Sequence, residues 1–310
     1  MSTRSHESDA PPKSILFGIG AQKAATSWLD AQISRHPDAY FPRPKELHYW
    51  DAIRAPFHSG YVLRAATRLG AGHADGRLTH LRAHVDRKLR RKLEMVQRYR
   101  AIFSGNRWDH DAYRDYLGLS RPGKILVGDI TPSYALLGRN TFKEMYLLHE
   151  SVKFVFIMRD PVRRLWSGVM ERNRGRLRKG LLTASQLERE FAEAVSNPRH
   201  PDRWRSDYQW TVQELEASVP TSCIFYTNYE TLIDLREGAA TRQALARFTG
   251  LNGLELDVSQ RVRATTAEMD LPAELCRQAK VVLRPVYDFV RERFGDEYIQ
   301  SWEAAHEVTV

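Results

Sequence analysis

Short apolar runs, each about as long as a buried strand, recur along this chain with helical patterns between them. They are Ser14–Ile19, closed by Gly20, then 125–127, 153–158 and 223–226. None of them alternates apolar with polar residues, so each reads as a strand covered on both faces, as in parallel sheets. Strand then helix, repeated, predicts an α/β layer fold with a central, mostly parallel sheet flanked by helices. Cys223 reads as core of the last of these strands. With 310 residues, 42% hydrophobic and 27% charged, the chain is long enough for a sizeable core and short enough for one domain.

Residues 1–13 are polar and end in Pro11-Pro12, which predicts a disordered N-terminal tail before a single domain over 14–310. A helical insertion is expected around 52–122. Within it Leu78, Leu81, Val85, Leu89, Leu93 and Val96 recur at helical spacing. The other faces of that helix are rich in Arg and Lys, a display that either gathers an acidic acceptor or is simply solvated; charged helix exteriors are ordinary. The formal net charge of +9 predicts attraction to polyanions without saying which. No stretch has the apolar length of a membrane span, and Met1–Ala10 lacks the apolar core of a signal peptide, so a soluble cytoplasmic protein is expected. Cys223 and Cys276 stand far apart with no C-x-x-C spacing, which argues against a disulfide framework or a zinc site. His80 and His84 are four apart, yet no third ligand follows at suitable spacing, and no metal is predicted.

The first strand runs straight into Ala21-Gln22-Lys23-Ala24-Ala25-Thr26-Ser27-Trp28-Leu29, where a helix begins. A helix N-terminus opening from a parallel strand offers unpaired backbone N–H groups and a partial positive charge, the geometry that holds phosphate. Lys23 adds a full charge, and Thr26 and Ser27 add hydroxyl donors. The ordinary alternative is that Thr26 or Ser27 caps the helix while Lys23 sits in solvent. The loop is not a G-x-x-x-x-G-K-[ST] motif, which disfavours a nucleoside triphosphate enzyme.

A second candidate anion site lies after the strand at 153–158. Asp160 is a suitable N-cap, Pro161 suits the first helical position, and Arg159 is left at the strand's C-terminal edge. Ligands of open α/β sheets gather at that edge, so Arg159 and the first turns of its helix, through Ser167, should face the crevice of Lys23. Two anion sites on one crevice suit a nucleotide with two separated phosphates. Taken alone, Arg159 would read as a surface ion-pair partner and Ser167 as filler.

These residues resemble the sulfotransferases that use 3′-phosphoadenosine 5′-phosphosulfate (PAPS), in particular bacterial relatives of the heparan sulfate sulfotransferase domains. Gln22-Lys23-Ala24-Ala25-Thr26-Ser27-Trp28-Leu29 is similar to the family's 5′-phosphosulfate loop, with Ala25 where glycine is usual. Arg159-Asp160-Pro161-Val162-Arg163-Arg164-Leu165-Trp166-Ser167 matches its 3′-phosphate element. Lys45-Glu46-Leu47-His48-Tyr49-Trp50-Asp51 resembles the element carrying the acceptor-side base, and Gly128-Asp129-Ile130-Thr131-Pro132-Ser133-Tyr134 a further segment, with Asp129 in place of Glu. No segment clearly matches the late glycine- and lysine-rich loop that closes over the nucleotide in many members.

The resemblance implies a P-loop NTPase-like three-layer sandwich and sulfuryl transfer from PAPS, as co-substrate, to a hydroxyl or amine of a small-molecule or oligosaccharide acceptor. It places Lys23, Ala24, Ala25, Thr26, Ser27, Trp28, Arg159 and Ser167 against the donor, with Lys23 stabilising the leaving group. Glu46 is the implied general base, with His48 the competing one because an imidazole titrates near neutrality. No metal is required and no nucleic acid partner is expected. The alternatives are a kinase with a degenerate phosphate loop and a non-catalytic basic module that binds glycan or nucleic acid; nothing in the chain resembles a nucleic-acid reading motif.

Overall fold

The computed structural model describes residues 14–54, 97–99, 101–103, 110–259 and 269–307. The expected tail over 1–13, the basic helix over 78–96 with His80 and His84, and most of the insertion lie outside the described residues. No helix among the described residues is long and apolar enough to cross a membrane.

A five-stranded sheet forms the centre: β1 (Ser14–Gly20), β2 (Ala39–Tyr40), β3 (Leu126–Ile130), β4 (Val152–Met158) and β5 (Ile224–Asn228). The order is β2-β3-β1-β4-β5, and every pairing is parallel. Every residue of β1 and β3 is buried, which is why these segments read as unbroken apolar runs. Helices flank the sheet, as the strand–helix alternation predicts.

The structure adds to the sequence reading at three places. β2 has only two residues, Ala39 and Tyr40, paired with Leu126 and Val127, and carries too little pattern to be seen in the sequence. β3 continues past Val127 through Gly128, Asp129 and Ile130, because Gly128 lets the two backbones approach; a Cβ there would stand 2.1 Å from the Leu16 carbonyl oxygen. Cys223 corrects the expectation of a strand-core residue. It ends a 3-10 turn at Thr221–Cys223, its N–H donates to the Pro220 carbonyl at 2.8 Å, and it is half-buried; strand pairing begins one residue later, at Ile224.

The winding places the site. The chain leaves β1 for the outer strand β2, returns to β3, and then crosses to β4 on the other side of β1. Winding therefore reverses at β1, and because all strands are parallel, the segments that follow them share one sheet edge. That edge, at the point of reversal, is where open α/β sheets bind ligands. The helices that position the site are α1 (Thr26–Ile33), α2 (Tyr49–Arg54), α3 (Pro161–Arg178), α4 (Tyr208–Glu216), α5 (Tyr229–Ile233) and α6 (Ala273–Phe294).

Candidate active site

The loop from β1 to α1 is held in an unusual backbone form. Lys23 has φ 72° and Ala25 has φ 58°, both left-handed. Ala25 stands where the family pattern has glycine, and the left-handed form costs a residue with a Cβ about 1–2 kcal/mol. No side chain caps α1, so neither Thr26 nor Ser27 takes the capping role and the helix N-terminus keeps its backbone donors. Ala24 is fully buried, with its N–H donated to the Ala21 carbonyl at 3.2 Å, and Thr26 is also buried. The Lys23 ammonium lies 3.4 Å from Glu171 Oε2 of α3. Trp28 turns inward, and its indole N–H donates to the Asp257 carbonyl at 2.6 Å, while Gln32 Oε1 accepts the Asp257 N–H at 3.1 Å. These bonds fix the 254–258 segment to α1.

The second loop is locked from several sides. Asp160 caps α3 by accepting the Arg163 N–H at 2.7 Å, with Pro161 in the first turn as the sequence indicates. Its other oxygen accepts from Tyr287 of α6 at 2.6 Å. Tyr208 of α4 donates to the Arg159 carbonyl at 2.6 Å. The Arg159 guanidinium stacks over Tyr229, 4.7 Å from the ring centroid, and its Nη1 donates to the Lys23 carbonyl at 2.9 Å. The two loops, whose Lys23 and Arg159 lie 136 residues apart in sequence, thus meet directly. Ser167 is buried on α3, one turn beyond Arg163 and one turn before Glu171.

Beyond β2, Glu46 and His48 also have positive φ, 64° and 54°. Among the described residues, the non-glycine positions with positive φ are Lys23, Ala25, Glu46 and His48, all in this site. Backbone strain of this kind persists where the surroundings over-determine it. Lys45 Nζ lies 2.8 Å from Glu46 Oε1, and His48 Nε2 lies 3.7 Å from Glu46 Oε2. On its other side, His48 Nδ1 is 2.8 Å from Asp51 Oδ2, which also accepts the Ser133 hydroxyl at 2.6 Å. Burial would raise the Glu46 carboxyl, but the His48 hydrogen bond and the Lys45 charge outweigh it and hold it at about 2. Burial would lower His48, but Asp51 and Glu46 raise it to about 9. At neutral pH Glu46 is therefore ionised and His48 carries its second proton.

Asp129 supports this array from below. It is buried and accepts from Tyr113 at 2.9 Å, Tyr134 at 2.7 Å, Thr131 at 2.6 Å and the Leu47 N–H at 3.5 Å. Burial raises its carboxyl, against the lowering effect of the Thr131, Tyr134 and Tyr113 hydroxyls. Tyr134 in turn accepts the Tyr49 and Trp50 N–H groups that open α2. The segment from Leu47 to Trp50 is thus fastened to the end of β3.

Sequence reasoning missed Asp51 and Ser133 as partners of His48, although Asp51 lies three residues on and in the same motif. It also missed Glu230, which follows β5 at the same sheet edge. Glu230 Oε1 accepts the Asp160 N–H at 3.2 Å, Oε2 is shielded from water with no hydrogen-bond partner, and burial raises the carboxyl to about 7 despite the nearby Arg159. Applying the edge rule to β5 as well as β1 and β4 would have found it. No cluster of three or more metal-ligating side chains occurs among the described residues.

Solved structures share this architecture. A sulfotransferase from Alicyclobacillus acidocaldarius superposes with a TM-score of 0.54 at 19% identity, over 91% of this chain and 95% of that one. The sulfotransferase domain of the Synechococcus PCC 7002 olefin synthase gives 0.52 at 18% identity, covering 91% and 98%. At these identities the likeness establishes the fold, which is P-loop NTPase-like. A comparison with curated proteins gives no match. The model of the Sulfotransferase family matches residues 16–255, a stretch holding the Lys23 and Arg159 loops and the Glu46 array, and the chain belongs to that family.

Proposed function

We propose that the protein transfers a sulfuryl group from PAPS to a hydroxyl or amine of an acceptor, with carbohydrates the first acceptor class to test. The observation that carries the reading is the contact of the two anion loops, Arg159 Nη1 on the Lys23 carbonyl at 2.9 Å, which suits one ligand bearing phosphates at both ends. In this reading the α1 amides with Thr26 and Ser27 hold the 5′-phosphosulfate, and Arg159 and Ser167 hold the 3′-phosphate. The acceptor oxygen or nitrogen forms a bond to sulfur as the bond from sulfur to the 5′-phosphate oxygen breaks. The leaving group is adenosine 3′,5′-bisphosphate (PAP), and Lys23 offsets the charge it gains.

Glu46 is the favoured base. His48 is protonated in the resting site and has no free lone pair for a proton, whereas Glu46 is ionised. A carboxylate held at about 2 is a weak acceptor, so the proton moves late, once bonding to sulfur has made the acceptor group acidic. His48 and Asp51 then act by holding Glu46 in place. A metal-independent enzyme, cytoplasmic and forming one domain from residue 14 onward, belongs to the same reading.

The test is to offer labelled PAPS with a panel of acceptors in the absence of added metal. Sulfated product and PAP should appear in equal amounts. No PAP release with any acceptor, together with no calorimetric heat on titrating PAP, would sink the proposal.

A further inference from the structure

The β1–α1 loop is strained and has little of its own to hold it. Its left-handed residues, Lys23 and Ala25, carry side chains, and α1 lacks a side-chain cap. Two backbone bonds brace it: the Ala21 N–H to the Ile157 carbonyl at 2.7 Å, and the Ala24 N–H to the Ala21 carbonyl at 3.2 Å. The second of these is long and holds the Lys23–Ala24 peptide from its N–H end only. That carbonyl and the Ala24 N–H share one rigid peptide plane, so whatever holds the oxygen also sets the direction in which the following backbone enters the helix. If this plane turned over, the Ala24–Ala21 bond would be lost and the backbone would enter α1 in another direction.

Arg159 holds that oxygen. Its own backbone is clamped by Tyr208, which donates to its carbonyl at 2.6 Å and lies 3.3 Å from its nitrogen, and its guanidinium carbon lies 4.7 Å from the Tyr229 ring centroid. The next residue, Asp160, is fixed by Arg163, Tyr287 and Glu230. A rigid element therefore reaches across to a strained one. We propose that Arg159 is a positioning residue for the β1–α1 loop, bracing the Lys23–Ala24 peptide from its carbonyl end and so the turn that presents the uncapped α1 amides, in addition to its proposed contact with the 3′-phosphate. The 3′-phosphate contact and the loop's nucleotide role rest on the donor assignment above; the bracing of the loop does not.

The two roles separate in one experiment on Arg159→Ala. A residue that serves only the 3′-phosphate affects PAP and leaves 5′-AMP, which lacks that phosphate, bound as before. A residue that also orders the loop weakens both. The expected result is a loss of about tenfold for 5′-AMP and of about 100-fold or more for PAP, as charge-assisted hydrogen bonds are lost. In the ligand-free protein, amide hydrogen exchange over 21–27 should quicken about tenfold while β3 and β5 stay protected. Unchanged exchange over 21–27, or 5′-AMP binding within twofold of the parent, overturns the positioning role. A parent protein that binds neither nucleotide would instead defeat the donor assignment, and the exchange measurement would still decide the loop. Should Arg159→Ala not fold, Arg159→Lys, which keeps a charge but has no fork to span both groups, is read by the same pair of measurements.

Discussion

Replacing Glu46 with Gln keeps the size of the side chain and removes its charge. The direct consequence is loss of the proton acceptor, worth about 10²–10⁴-fold in turnover, or about 3–5 kcal/mol of barrier. A second consequence follows from the array. His48 is held at about 9 by Asp51 and Glu46 together, so removing one carboxylate lets it fall toward its ordinary 6.5. In the parent enzyme kcat should be flat from pH 6 to 8, because Glu46 is already ionised, and should decline near 9 as the imidazolium loses its proton. In Glu46→Gln the decline should shift to lower pH. The assay is kcat against pH with saturating PAPS, alongside calorimetric affinity for PAP, which should stay within about twofold because Glu46 hangs from β2 and not from either anion loop. Residual activity that rises with pH as His48 deprotonates would transfer the base to His48. An equal loss of PAP binding would show that Glu46 is structural, and either result refutes the reasoning.

Lys23→Ala should lower both turnover and PAP affinity, since it removes a charge from the 5′ site and the stabiliser of the leaving group; a loss in affinity alone, read by comparing kcat with PAP titration, would remove it from the chemical step. Ala25→Gly relieves a left-handed residue at φ 58°, and after the entropy that glycine adds to the unfolded chain it should stabilise by about 0.5–1 kcal/mol, measured by denaturant titration; a loss of stability would mean the backbone there is not strained. Asp129→Ala leaves three buried hydroxyls without their acceptor and should cost about 3 kcal/mol on the same measurement. The pH dependence of stability also has a sign. His48, raised from 6.5 to about 9, contributes fully below pH 6.5, and that contribution is lost as pH rises through 9, so His48→Gln should flatten the fall in melting temperature over that range.

The sequence by itself determined whatever depends on neighbours in the chain. The unbroken apolar runs at 14–19 and 153–158 announce strands covered on both faces, and Asp160-Pro161 announces the start of α3, because capping is a property of a few adjacent residues. The Lys23 loop and the Arg159 element could also be placed on one edge, since parallel strands fix that edge. Tertiary structure alone decided how these parts touch. Arg159 on the Lys23 carbonyl, Ser133 on Asp51 and Tyr134 beneath the first amides of α2 join residues 82 or more positions apart, and no local pattern encodes such a meeting. The left-handed backbone at Lys23, Ala25, Glu46 and His48 is likewise a tertiary choice. None of these residues favours that form on its own, and packed strands, hydrogen bonds and opposite charges on several elements have to hold it there.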